Sequence, residues 1–215
     1  RALRQLPEKQ ASVAALSLDS SVPTVLVIGG SQGSQKINET LIDALHDMVP
    51  YVNVVHQTGR AHIDEVVKRS HVVLSTSPFT ARYHPLSYLS AEQLRTAAGA
   101  CDVVVSRAGA TSIAEISLWG KPAILIPIPE SISHDQRTNA YAYAHTGAAV
   151  VLEEANMTSH VLQSEILSIA RSLELAQSMS AHAAGFSNPE AARMIAEEIV
   201  RIGLSHEPQT PAPVV

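Results

Sequence analysis

The chain has 215 residues, enough for one sizeable α/β core, and its 46% hydrophobic and 16% charged residues exclude a disordered chain or a solvated coil. A net charge of -5, with no basic stripe and no aromatic stacking platform, excludes a general nucleic-acid binder, because neutralising phosphates needs clustered Lys and Arg. No apolar stretch approaches the ~20 residues that span a bilayer. The single cysteine, Cys101, cannot close an internal disulfide, which fits a reducing, cytoplasmic compartment.

Residues 1–10 are polar, lack an initiating Met and have no apolar core of the signal-peptide kind. They read as a chain entered midway, with 1–23 a linker from an N-terminal domain. A buried-strand run over 24–28 ends at Gly29-Gly30, and Ile37, Leu41, Ile42 and Leu45 then recur at helical spacing. A second strand over 52–57 stops at Thr58-Gly59 and precedes a helix over 61–69. A weaker strand falls at 72–74 or 81–84, where Pro78 and Pro85 blur the pattern. A helix over 91–99 leads to a strand over 102–106, and Cys101, beside its apolar run Val103-Val104-Val105, reads as a buried structural thiol. A helix over 111–119 is closed by Gly120 and Pro122. A strand over 123–126, a helix over 135–145 and a strand over 148–152 follow. The chain is helical from Thr158, and the tail, 205–215, is Pro-rich from Pro208 and expected to be disordered.

About six strands alternate with crossover helices, and most are apolar runs without alternation. That pattern predicts a doubly wound, Rossmann-like α/β domain over 24–204, its parallel sheet covered on both faces. Ligands of such sheets bind beyond the carboxyl ends of the strands, so the chemistry belongs in the loops there.

Three loops fit that place. In Gly29-Gly30-Ser31-Gln32-Gly33-Ser34, glycines let backbone N–H groups approach an anion at a helix start; the alternative is a tight turn that needs Gly for geometry alone. No Gly-Lys-Ser/Thr follows, so this is no Walker loop, and strand two ends in Gln57 where a dinucleotide-binding domain would carry an acid. In Ser106-Arg107-Ala108-Gly109-Ala110-Thr111-Ser112, small residues leave room for a ligand at the next helix start. Glu115 lies one turn further, where a carboxylate can accept from both hydroxyls of a ribose. Equally, Ser112 and Glu115 have the spacing of a capping box. The third loop, 127–139, offers Asp135, Gln136 and Asn139 to sugar hydroxyls; its alternative is a helix start capped by Ser133. Together the loops describe a site for a diphosphate, a ribose and a sugar.

The ordered set Gly29-Gly30-Ser31-Gln32-Gly33, His56-Gln57-Thr58-Gly59, Arg107-Ala108-Gly109-Ala110 with Glu115, and Asp135-Gln136 with Asn139-Ala140 resembles the C-terminal domain of the MurG family of GT-B glycosyltransferases. The resemblance runs from about Thr24 to Ile202. It implies the donor-binding half of an inverting enzyme that moves N-acetylglucosamine from UDP-N-acetylglucosamine to a lipid-linked acceptor, turning lipid I into lipid II in peptidoglycan synthesis. By carry-over, Gly30, Ser31, Gln32 and Gly33, with Ala110, Thr111 and Ser112, would hold the diphosphate. Glu115 would hold the ribose, Asp135 and Gln136 the sugar, and backbone near Tyr88 and Leu89 the uracil. Many relatives carry Gln where this chain has Asp135. Arg1 would match the arginine that closes the family's interdomain segment, and His56 and Gln57 read as strand-end structure.

The family's general base and acceptor pocket lie in an N-terminal domain. His134 is the only tempting base here, so no catalytic residue is assigned to this chain. The sequence has no Asp-x-Asp element, so the expectation is no metal and no cofactor; the resemblance implies a whole enzyme peripheral on the cytoplasmic face of the membrane. The rival readings are a related UDP-sugar transferase, such as a glycolipid synthase or a split two-subunit enzyme, and a nucleotide-binding module without transfer chemistry.

Overall fold

The computed structural model describes residues 5–132, 134–188 and 190–205. Arg1, Ser133, the side chain of His134 and the tail beyond 205 lie outside the described residues. Six strands form one sheet, all pairs parallel: β1 (Thr24–Ile28), β2 (Asn53–Gln57), β3 (Tyr83–Leu86), β4 (Val103–Ser106), β5 (Ala123–Leu125) and β6 (Ala149–Val151). Their order is β3-β2-β1-β4-β5-β6, the doubly wound arrangement expected of buried apolar runs joined by crossovers. Helices α1 (Lys9–Ala15), α2 (Gln35–Met48), α3 (Ile63–Val73), α4 (Ala91–Ala100), α5 (Ala110–Trp119), α6 (His134–Ala144), α7 (Ser159–Ala170), α8 (Leu173–Phe186) and α9 (Ala191–Ser205) complete the described residues with two short 3-10 turns.

Alternate residues of each central strand serve opposite faces. Val25, Val27, Val103 and Val105 join Ile37, Leu41 and Leu45 of α2 and Leu162 and Ile166 of α7. Leu26 and Val104 join Ala97 of α4, Ile116 of α5 and Tyr143 of α6 on the other face. Burying one such aliphatic side chain contributes about 1.5–3 kcal/mol, so the sheet is fixed from both sides and its loops project from a rigid frame.

Two sequence expectations change. The third strand runs over Tyr83–Leu86, while 72–74 closes α3. Pro85 is tolerated because β3 lies at the sheet edge, where a missing N–H breaks no second ladder. Second, the 1–23 segment, read as a linker, contains helix α1, which packs on α4. Lys9 of α1 pairs with Asp102 at 2.5 Å, and the other oxygen of Asp102 accepts from the Thr24 N–H at 2.9 Å. The segment is thus tied to the start of two neighbouring strands.

Candidate functional site

β1 pairs with β2 on one side and β4 on the other, so the connections leaving β1 and β4 part in opposite directions. The crevice between them is the switch point of the sheet, where such folds bind ligands. A cavity of about 240 Å³ lies there, lined by Gly30 and Ser31 after β1, by Gln57, Tyr88 and Leu89, and by Thr111, Ser112, Glu115 and Trp119 of α5.

The glycine turn is held from below. The Gly33 N–H donates to the Gly30 carbonyl at 3.1 Å. Gly33 has φ +79, and a Cβ there would come within 2.0 Å of the Thr58 carbonyl oxygen; a Cβ at Gly59 would meet the Gln32 carbonyl oxygen at 2.1 Å. Two backbones cross at this point, and no side chain fits between them. Gly30 differs: at φ +94, nothing lies within 4 Å of where its Cβ would be. One glycine serves the crossing, and the other leaves its cavity side open.

Thr58 is itself positioned by a buried chain of hydrogen bonds. The Asn38 amide nitrogen donates to the Thr58 carbonyl at 2.9 Å, which leaves the Asn38 oxygen to accept from His56 Nε2 at 3.0 Å. His56 Nε2 therefore carries the proton, and Nδ1 accepts from the Tyr83 hydroxyl at 2.9 Å. Burial lowers the His56 pKa to about 3 and pushes the Tyr83 hydroxyl up. Both stay neutral.

Helix α5 begins at Ala110 behind Gly109, and no side chain caps it. Its first helical bond is Ile113 N–H to the Gly109 carbonyl at 3.0 Å. The N–H groups of Ala110, Thr111 and Ser112 accordingly precede the helix ladder, the arrangement that favours an anion. The Ser112–Glu115 capping box does not form, because Ser112 sits inside the first turn. Glu115 is half-buried on the cavity wall, has no hydrogen-bond or ion-pair partner among the described residues, and is shifted up from the ordinary carboxylate range by desolvation.

Arg107 ties the floor together. It donates to the Ser34 hydroxyl at 2.6 Å and to the carbonyls of Ile126 and Pro127, and it pairs with Glu154 at 2.6 Å. The Ser34 hydroxyl also accepts from Ile37 N–H at 3.4 Å, capping α2.

Of the residues singled out from sequence, Gly30, Ser31, Leu89, Thr111, Ser112 and Glu115 line this one cavity. Gln32 and Gly33 form the crossing beside it, and Ala110 opens α5. Asp135 and Gln136 begin α6 after β5, outside the cavity lining; Gln136 Oε1 accepts from Ile128 N–H at 3.3 Å. Arg1 lies outside the described residues. Sequence reasoning passed over Trp119, on the cavity side of α5 four residues after Glu115, and treated Gln57 as strand-end structure although it lines the cavity. The available signal was an amide closing a buried strand, since a buried polar side chain needs partners.

Fold and crevice together define a doubly wound α/β domain with a cavity at its switch point. The chain belongs to the glycosyltransferase family 28 C-terminal domain family, whose model matches residues 24–198. It is 34% identical over 188 residues to a Chlorobaculum tepidum protein named UDP-N-acetylglucosamine--N-acetylmuramyl-(pentapeptide) pyrophosphoryl-undecaprenol N-acetylglucosamine transferase, covering 87% of this chain and 49% of that protein. A protein of the same name from Anaeromyxobacter sp. (strain K) is 35% identical over 203 residues, covering 88% of this chain and 51% of that one. Among solved structures, Acinetobacter baumannii MurG shares the fold, with TM-score 0.74, 22% identity and coverage of 93% of this chain and 55% of that one. The chain thus spans about half the length of the curated relatives it matches. No helix among the described residues is long and apolar enough to cross a membrane.

Proposed function

We propose that this chain is the donor-binding half of an inverting N-acetylglucosaminyltransferase that takes its sugar from UDP-N-acetylglucosamine and passes it to a lipid-linked acceptor, lipid I, in peptidoglycan synthesis. The observation that carries this reading is one cavity that joins an uncapped helix start, an open glycine turn and, one turn along α5, an unpaired carboxylate. A helical turn rises about 5.4 Å, which suits a diphosphate at Thr111 and Ser112, a ribose at Glu115, and a base against Leu89 and Trp119. The relatives' printed names supply the sugar and the acceptor.

In this assignment the chain grips the leaving group. As the bond from the anomeric carbon to the diphosphate breaks, negative charge grows on the phosphate oxygens. Fixed N–H dipoles aimed at that charge stabilise it without reorganising. Asp135 and Gln136 would approach the sugar from the start of α6. In this reading the base that deprotonates the acceptor hydroxyl, and the surface that meets the membrane on its cytoplasmic face, belong to a separate N-terminal domain.

Since helix and turn dipoles carry the charge in this scheme, donor binding needs no divalent cation. Titration of UDP-N-acetylglucosamine into the chain in excess chelator should give the same affinity as without it. Affinity abolished by chelator and restored by a divalent cation would overturn this mechanism.

A further inference from the structure

The two walls of the cavity come from loops more than fifty residues apart, and one side chain bridges them. Gln57 ends β2 and is 5% exposed. Its Nε2 donates to the Gly30 carbonyl at 3.0 Å, and its Oε1 accepts from the Leu89 N–H at 3.1 Å. The amide orientation is fixed by chemistry, because a carbonyl oxygen can only accept and a backbone N–H can only donate. The Gly30 carbonyl also accepts from Gly33 N–H, so Gln57 and the turn grip the same oxygen. In a planar trans peptide the N–H points opposite to the C=O. Holding the Gly30 carbonyl therefore sets the direction of the Ser31 N–H.

Gly30 is where the turn is least confined, with φ +94 and open space around its Cα. The hold on its peptide comes through the carbonyl, gripped by Gln57 and by the Gly33 N–H. At the other wall, Tyr88 is exposed beneath the Arg60 guanidinium, 5.1 Å from its ring centre, while Leu89 is buried. The Gln57 bond fixes the Leu89 peptide at the point where the loop turns inward.

We propose that Gln57 is a positioning residue that couples the glycine turn to the Tyr88–Leu89 loop, so that the diphosphate end and the base end of the donor site are set together. This rests on the donor-site reading above. A ligand that orders one end then orders the other through a single amide. A structural residue that only stabilised β2 would not transmit such an effect.

The test uses inorganic pyrophosphate, which is too small to reach the base end, and amide hydrogen exchange in the wild-type chain. Pyrophosphate should slow exchange in 30–33 and, through Gln57, at Leu89. In the Gln57→Met variant, which keeps the length and loses both hydrogen bonds, pyrophosphate should leave Leu89 unprotected and UDP should bind about tenfold more weakly or worse. Slowing in 30–33 with Leu89 unchanged in the wild type overturns the coupling, and that measurement holds even if the variant fails to fold. A folded variant that binds UDP within about twofold of wild type overturns it too. A wild-type chain that binds neither pyrophosphate nor UDP overturns the donor-site reading, and the coupling with it.

Discussion

Glu115 carries most of the chemistry assigned to a single residue. Desolvation raises its pKa above the ordinary 4.5, and no partner among the described residues offsets the cost. A carboxyl raised in the folded state contributes stability that is present below its unfolded pKa and lost as pH rises through the folded one. The ionised carboxylate therefore carries a desolvation cost that ribose hydroxyls would relieve. Glu115→Gln should melt no lower than wild type at pH 7 yet bind UDP about tenfold more weakly, since hydrogen bonds to a charged acceptor are the stronger ones. Calorimetry of binding and melting on the same samples checks both halves; a variant that melts lower and binds normally would return Glu115 to structure. The sequence showed Glu115 at a spacing that served a capping box and a ribose site equally. What separated them was where the helix starts: Gly109, not Ser112, is the cap position.

At the scale of elements, the strand-to-loop transitions decide the site. The chain Tyr83–His56–Asn38–Thr58 joins β3, β2, α2 and the loop beneath the glycine turn. Its histidine titrates at about 3 when folded, against 6.5 ordinarily. With the folded pKa depressed, its stability contribution is present above 6.5 and is lost as pH falls from there toward 3, by at most about 1.4 kcal/mol per pH unit. His56→Gln can donate to Asn38 and accept from Tyr83, so it should fold, and its melting temperature should fall less than that of wild type between pH 7 and 4.5. Parallel slopes for the two would contradict the buried neutral imidazole. Such networks were illegible beforehand, because His56 and Asn38 meet only once β2 and α2 are packed. The edge strand was legible only as one of two places, 72–74 or 81–84, for a related reason: Pro85 argues against a strand until the sheet order puts it at an edge.

Over the whole molecule, the sheet and its order follow from local pattern. Apolar runs such as Thr24-Val25-Leu26-Val27-Ile28 have no polar alternate, so both faces must be covered, and the glycine and serine loops then fall at one end. The cavity drew half of the residues singled out from sequence into one place, those in the loops after β1 and β3 and in the first turns of α5. Asp135 and Gln136 begin a helix at a different strand end, and their part in the site depends on how a sugar extends from the diphosphate. Helix α1 was missed because seven residues carry too weak a period to stand out from a linker; its place is fixed by packing on α4 and by the Lys9–Asp102 pair.

The central claim is that this chain by itself holds a nucleotide-sugar donor at the switch point. Calorimetric titration of the chain with UDP-N-acetylglucosamine, UDP-glucose and UDP tests it most directly. All three should bind saturably, with UDP-N-acetylglucosamine preferred over UDP-glucose. Binding of UDP with no preference between the sugars would mark a nucleotide module without a donor-sugar site, and no binding of any of the three would contradict the account.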